Sequence, residues 1–210
     1  MMFFLTTVFA YLLGAVPFAL VVARLVGGID LRQSGSGNTG AMNTIRTVGR
    51  IPGIGAFVLD AAKGVLAMLV AYLLVDRTAA IIAGAAAIIG HCYSIWLLVA
   101  ARNERGGGWK RWLRRLGGKG LATGLAVLFI WNWPSFAVML AVFFGTFGLQ
   151  YLIRSHKDET WPTVIALIAI PPLLWAFTHD RLLVTAGIFL VVAVLVKHLP
   201  DLREGYYVDR

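Results

Sequence analysis

Apolar residues in this chain come in long runs rather than alternating with polar ones. Seven such stretches stand out, at about residues 3–26, 53–75, 79–100, 120–132, 134–153, 161–177 and 181–197. Most approach the ~20 residues a helix needs to cross the ~30 Å hydrocarbon layer of a bilayer. Lipid offers no partner to backbone N–H and C=O groups, so such runs predict helices that bond internally. The fourth run is too short to cross alone. A short span is tolerated where its end is buried in protein or lines a cavity. It meets Trp131-Asn132-Trp133-Pro134, and the two tryptophans suit an interfacial belt. The pattern predicts an all-α, polytopic membrane bundle of seven transmembrane segments, a single domain over 1–210.

Composition narrows the class further. Hydrophobic residues make up 59% and charged ones 14%, against about a quarter charged in soluble domains. This excludes disorder and an ordinary soluble enzyme. The single cysteine, Cys92, cannot form an internal disulfide. Before Arg24 there is no basic residue, so the first stretch reads as a span that stays rather than a cleaved leader.

Lys and Arg number 19 against 10 acidic residues, a net charge of +9. Position explains the excess. With the loop 27–52 inside, seven crossings put sixteen basic residues on the cytoplasmic side and only Arg77 and Arg181 outside; Lys63 lies within a span. Such a positive-inside bias places the N-terminus outside and the C-terminus in the cytoplasm. No nucleic-acid partner is needed to account for the charge. One compositional break, the basic cytoplasmic insertion near 101–115, combines Gly106-Gly107-Gly108 with Trp109, Lys110, Arg111, Trp112, Arg114 and Arg115. It reads either as an amphipathic element at headgroup level or as a solvated basic loop.

Chemistry concentrates in two polar stretches. The first, Ser34-Gly35-Ser36-Gly37-Asn38-Thr39-Gly40-Ala41-Met42-Asn43-Thr44-Ile45-Arg46, packs glycines, hydroxyls, amides and one guanidinium into a short loop. Glycines let backbone N–H groups turn towards an anion, and arginine adds a fork matched to phosphate or carboxylate. A plain polar turn needs fewer such residues. The second, Gly117-Gly118-Lys119-Gly120-Leu121-Ala122-Thr123, precedes the short fourth span. Glycines and a lysine at a helix start suit a phosphate; equally, they suit a snorkelling lysine at a helix start. Position 113 is Leu, so this is not a Walker motif. Asp60 and Lys63 share a helix face three residues apart within the second span and read as an internal ion pair. His91 reads as a packing histidine. His198, at the cytoplasmic end of the last span, is the best site histidine. No residue pattern points to a metal, and no histidine carries an Asp five residues later.

These residues resemble the bacterial integral-membrane glycerol-3-phosphate acyltransferases that use acyl phosphate. Gly27-Gly28-Ile29-Asp30 through Ser34-Gly35-Ser36-Gly37-Asn38, with Gly40, Asn43 and Arg46, is similar to that family's first signature. Gly117 through Thr123 is similar to its second. Gly14-Ala15-Val16-Pro17-Phe18, Leu59-Asp60-Ala61-Ala62-Lys63-Gly64 and Gly90-His91 also match, so the resemblance runs over about 11–130 apart from the insertion. It implies a multi-pass protein of the bacterial inner membrane, embedded among membrane lipids and free of cofactor and metal. It implies transfer of an acyl chain from acyl phosphate to the 1-hydroxyl of glycerol 3-phosphate, giving lysophosphatidic acid and phosphate. Catalytic roles would fall to Arg46, Lys119 and His198. Substrate phosphates would rest on Ser36, Gly37, Asn38, Gly40, Asn43, Gly118, Gly120 and Thr123. Differences exist: Met42 stands where the family usually has threonine, and His198 is followed by Asp201 where an asparagine is usual. From the residues, a small-anion transporter and a non-catalytic relative that binds lipid phosphate or a partner stay open as alternatives.

Overall fold

The structure, a computed structural model, describes residues 1–101, 108–154 and 159–202. Every regular element among the described residues is a helix, with no strand. Six helical segments are long and apolar enough to cross a membrane: Met2–Gly27, Arg50–Leu74, Arg77–Ala100, Trp133–Ile153, Thr160–Thr178 and Arg181–Asp201. A seventh apolar helix, Leu121–Trp131, is shorter. Its 11 residues rise only about 17 Å, short of the ~30 Å hydrocarbon layer.

Three of the long segments are interrupted. The first divides into α1 (Met2–Ala15) and α2 (Phe18–Gly27). Pro17 has no N–H to give and pushes Val16 into an extended conformation at ψ 119. Side chains satisfy the carbonyls this frees. Lys63 Nζ donates to Val16 O at 2.9 Å and Ser94 Oγ to Ala15 O at 2.6 Å. After α3 (Ala41–Thr47) and α4 (Arg50–Leu74), the third segment divides into α5 (Arg77–Cys92) and α6 (Ile95–Ala101). Next among the described residues come α7 (Gly108–Arg115), α8 (Leu121–Trp131) and α9 (Trp133–Arg154). The fifth long segment carries Pro171-Pro172 and splits into α10 (Thr160–Ile168) and α11 (Ile170–Thr178); α12 (Arg181–Leu202) closes the bundle.

Small residues bring α1 and α5 together. Ala10, Ala67, Ala71, Ala79, Ala83 and Ala87 form one buried cluster. A side chain at Gly90 would meet Tyr11 O at 2.2 Å. Close backbone approach of this kind drives helix pairing where lipid supplies no hydrophobic force. A second cluster of larger side chains, including Ile88, Leu128, Leu167, Leu174 and Leu190, joins α5, α8, α10, α11 and α12. At one end of the bundle Arg77 Nη1 bonds Asp180 Oδ2 at 2.9 Å. The polar loops gather at the other.

Two sequence expectations change here. Of the tryptophan pair, only Trp133 is exposed (65%), whereas Trp131 is 8% exposed and belongs to the core. In the last turn of the short α8, Leu128 and Trp131 face the bundle while Phe129 and Ile130 stay exposed, so Trp131 is held by protein rather than by headgroups. In the basic insertion, 102–107 lie outside the described residues, while 108–115 form α7 with Trp109 and Trp112 exposed and Leu113 and Arg115 buried. His156, Lys157 and the tail 203–210 also lie outside the described residues.

Candidate functional site

The first polar loop is built around two side chains. Asp30 accepts from Arg24 Nη2 at 2.7 Å, from Arg32 Nη2 at 2.7 Å and from its backbone N at 3.0 Å. Chiefly through the bonds from Arg32, its carboxyl is held well below the usual range, against the opposing effect of burial. Asn43 organises the rest. Its Oδ1 accepts from Ser36 N at 3.1 Å, and its Nδ2 donates to the carbonyls of Leu31, Ser34 and Asn38 at 2.9–3.2 Å. The loop therefore carries its own internal skeleton. Gly37 turns through the left-handed region at φ +72, and an N–H from it closes the turn on Ser34 O at 3.1 Å.

The second loop docks on the broken end of α5. Gly118 N donates to His91 O at 3.1 Å, and Ser94 N to Leu116 O at 2.8 Å. Nothing larger than glycine fits at 118, where a Cβ would stand 2.2 Å from His91 Nε2. Gly120, at φ +88, turns the chain into α8. Thr123 Oγ1 donates to Asp60 O at 2.7 Å and fastens α8 to α4.

Between these loops opens a cavity of about 480 Å³. Its mouth is lined by Ser36, Asn38, Gly40, Asn43, Lys119, Gly120 and His198, which are thus brought together from both loops and from α12. Deeper, the wall is apolar: Leu121, Leu125 and Leu128 of α8, Met139, Leu140 and Phe143 of α9, Leu167 of α10 and Leu190 of α12. Ser36 Oγ and Asn38 Oδ1 are buried in this wall with no hydrogen-bond partner among the described residues. Buried polar atoms are normally paired, so these two mark where a ligand would bond.

Several expected residues stand elsewhere. Arg46 stands beside the mouth rather than in the cavity wall, its Nη2 3.8 Å from Glu159 Oε1. Gly37, Gly118 and Thr123 shape the two loops from behind the wall. Every amide atom of Asn43 is engaged by loop backbone, so its place in the mouth is that of a frame.

Some lining residues had weaker signals. Asp60 and His91 both reach the cavity wall. Asp60 Oδ1 lies 2.8 Å from Lys63 Nζ and 3.5 Å from His91 Nδ1. The Asp60–Lys63 pair is thus present and buried, and His91 is a wall residue as well as a packing one. Glu159, Thr160 and Thr163 line the opposite rim. Their signal was a polar cluster at helical spacing where the sixth apolar run begins. His198 is buried, with Nδ1 donating to Val194 O at 2.8 Å. A carbonyl only accepts, so in the neutral ring Nδ1 carries the hydrogen and Nε2 is left as an acceptor.

Chemically, a cationic and hydroxyl-bearing mouth over an apolar chamber suits an amphiphile with an anionic head. Comparison with known proteins points the same way. Residues 4–205 match the family model described as glycerol-3-phosphate acyltransferase. A glycerol-3-phosphate acyltransferase of Synechococcus sp. (strain JA-3-3Ab) is 36% identical over 199 residues, covering 93% of this chain and 87% of its own length. That of Syntrophotalea carbinolica is 34% identical over 204 residues, covering 96% and 93%. The crystal structure of PlsY (YgiH), an integral membrane glycerol 3-phosphate acyltransferase, in its glycerol 3-phosphate form superposes with a TM-score of 0.76 at 26% identity, over 99% of this chain and 95% of that one. Its lysophosphatidic acid form gives 0.73, over 95% and 89%.

Proposed function

This chain belongs to the glycerol-3-phosphate acyltransferase family, and from that premise we propose that it moves an acyl chain from acyl phosphate to the 1-hydroxyl of glycerol 3-phosphate. The products are lysophosphatidic acid and inorganic phosphate. The observation that carries this reading is one cavity in which Ser36, Asn38, Lys119 and His198 surround the mouth of an apolar chamber. The chamber takes the acyl chain, and the mouth takes the phosphates and the reacting carbonyl.

In this reading the glycerol hydroxyl oxygen attacks the acyl carbonyl carbon. The bond from that carbon to the phosphate oxygen breaks, and the hydroxyl proton passes to a substrate phosphate. Lys119, backed by Arg46 at the rim, stabilises charge that develops on the carbonyl and on the leaving phosphate. Ser36 and the first backbone N–H groups of α8, which the helix leaves unbonded, add neutral donors at its positive end. His198 orients the acceptor by receiving a hydrogen bond on Nε2.

We infer further that the chain crosses the inner membrane of a bacterium seven times, N-terminus outside. The mouth lies at the end carrying Arg46, Arg114 and Lys119, and Arg77 and Arg181 begin helices at the other end. The positive-inside bias then makes the mouth cytoplasmic. α8 is the short seventh crossing, and the loops dipping in above it make up the missing length.

The test is purified protein in lipid vesicles, given acyl phosphate and a panel of phosphate-bearing alcohols. Lysophosphatidic acid and phosphate are expected in equal amounts from glycerol 3-phosphate. Lys119→Ala is expected to slow turnover by about 10²–10³-fold, the usual cost of one positioned donor. Folded protein without turnover on any acyl phosphate, or one that instead carries phosphate into vesicles, overturns the reading.

A further inference from the structure

Two cations converge on one carboxylate beside the mouth. Asp201, 6% exposed near the end of α12, has Oδ2 2.6 Å from Lys119 Nζ and Oδ1 2.9 Å from Arg114 Nη2. Arg114 also donates to Pro200 O at 3.4 Å. A further contact binds the same two elements: Lys197 Nζ donates to Leu113 O. The helix α7, from the basic insertion, is therefore strapped to the end of α12 at two points. Of the two cations on Asp201, Lys119 lines the cavity and Arg114 does not.

Charge balance gives the arrangement a purpose. A lone carboxylate against Lys119 would cancel its charge and repel an incoming phosphate. With Arg114 on its far side, the carboxylate is shared between two cations, so Asp201 pins the ammonium without being set against Lys119 alone. Close, partly desolvated charge pairs couple strongly enough to matter for anion affinity.

We propose that Asp201 and Arg114 are positioning residues for the transfer reaction. Asp201 fixes the Lys119 ammonium at the mouth, and Arg114 of α7 offsets the carboxylate so that the mouth still attracts phosphate. This makes α7 a working part of the site. The proposal rests on the acyl-transfer reading, and neither residue touches substrate.

The test uses the full chain in vesicles, with kcat and KM for glycerol 3-phosphate measured for Arg114→Gln, Arg114→Lys, Asp201→Asn and the Arg114→Gln/Asp201→Asn double variant. Removing the arginine charge is expected to raise KM at least about tenfold, by an amount that shrinks with added salt. Arg114→Lys keeps KM near wild type. Asp201→Asn lowers kcat without raising KM, because Lys119 is freed but not neutralised. The double variant returns KM towards wild type while kcat stays low, a reversal that a purely structural role would not produce. An unchanged KM in folded Arg114→Gln, or a double variant as weak as the single, overturns the proposal. If Arg114→Gln does not fold, as judged by its melting temperature, Asp201→Asn decides: a raised KM there overturns it. Inactive wild type defeats the acyl-transfer reading and this proposal together. An active wild type with indifferent variants defeats this proposal alone.

Discussion

Lys63 Nζ lies 2.8 Å from Asp60 Oδ1, both side chains almost wholly buried. The same ammonium caps Val16 O at 2.9 Å, where Pro17 breaks the first membrane segment. One side chain thus neutralises a charge in the cavity wall and repairs a helix break. Lys63→Met leaves Asp60 without its close counter-charge and Val16 O without a donor. Breaking a buried pair from one side costs about 3–5 kcal/mol. The melting temperature in detergent is expected to fall sharply. A Lys63→Met protein that melts with wild type would show that the pair contributes nothing.

Asn43 gives a sharper separation of folding from function. Its two N–H groups, shared among three carbonyls, and its one accepted bond shape the loop that carries Ser36 and Asn38. Each buried backbone group left unpaired costs about 1–3 kcal/mol. Asn43→Ala is expected to abolish acyl transfer while circular dichroism keeps the helix content, since the loop contributes little helix. Asn43→Asp retains the acceptor for Ser36 N but turns the three carbonyl contacts repulsive, so it should do no better. Activity near wild type in either variant would refute the framing role.

The helical class and the grouping of two polar loops at one end were legible because both follow from local pattern: apolar run length and glycine-rich loops. Seven runs were visible; among the described residues six helical segments are long enough to cross a membrane and one further apolar helix is shorter. Their interruptions were less legible. Pro17 sits in a run whose hydropathy never falls, and only the partners from α4 and α6, Lys63 and Ser94, show how the break is tolerated. Trp131 could not be placed from its neighbours, because its burial depends on where the short α8 sits in the bundle. Likewise nothing local pairs Arg46 with Glu159, or Lys119 with Asp201; those contacts span 113 and 82 positions and exist only after packing. Asp201 taken alone is a negative charge that repels phosphate. Its meaning changes once Arg114 stands beside it.

Asp30 sets a pH signature for the first loop. Bonds from Arg32 and Arg24 hold its carboxyl below its ordinary value. A group depressed on folding contributes stability above its unfolded pKa, about 3.9 for aspartate, and loses it as the pH falls through the folded value. The difference in melting temperature between wild type and Asp30→Asn should therefore be the same at pH 7 and pH 5. Below about pH 4 it should shrink. A difference that already vanishes between pH 7 and pH 5 would contradict the clamp.

The depth of the apolar chamber should set which acyl chains are accepted. Gly124 lines it one turn below Gly120, and among the described residues a Cβ there would approach Leu190 Cδ1 at 4.0 Å. A Cβ there makes only ordinary van der Waals contact with a side chain, so a substituent starts towards the chamber without meeting backbone. Gly124 is also helical with no positive φ, and leucine is a better helix former by nearly 1 kcal/mol. Gly124→Leu is thus expected to fold, which its melting temperature in detergent checks. Its side chain would occupy volume about 5 Å below the mouth, one helical pitch along α8. Chains long enough to pass that level would lose contact or fail to seat, and each methylene excluded from an apolar wall forfeits about 0.8 kcal/mol. Measured kcat/KM over a series of acyl phosphates should fall for the longest chains and hold for the shortest. A uniform loss across the series would mean that the substitution disturbs the mouth. An unchanged profile would mean that the chain lies elsewhere than in this chamber.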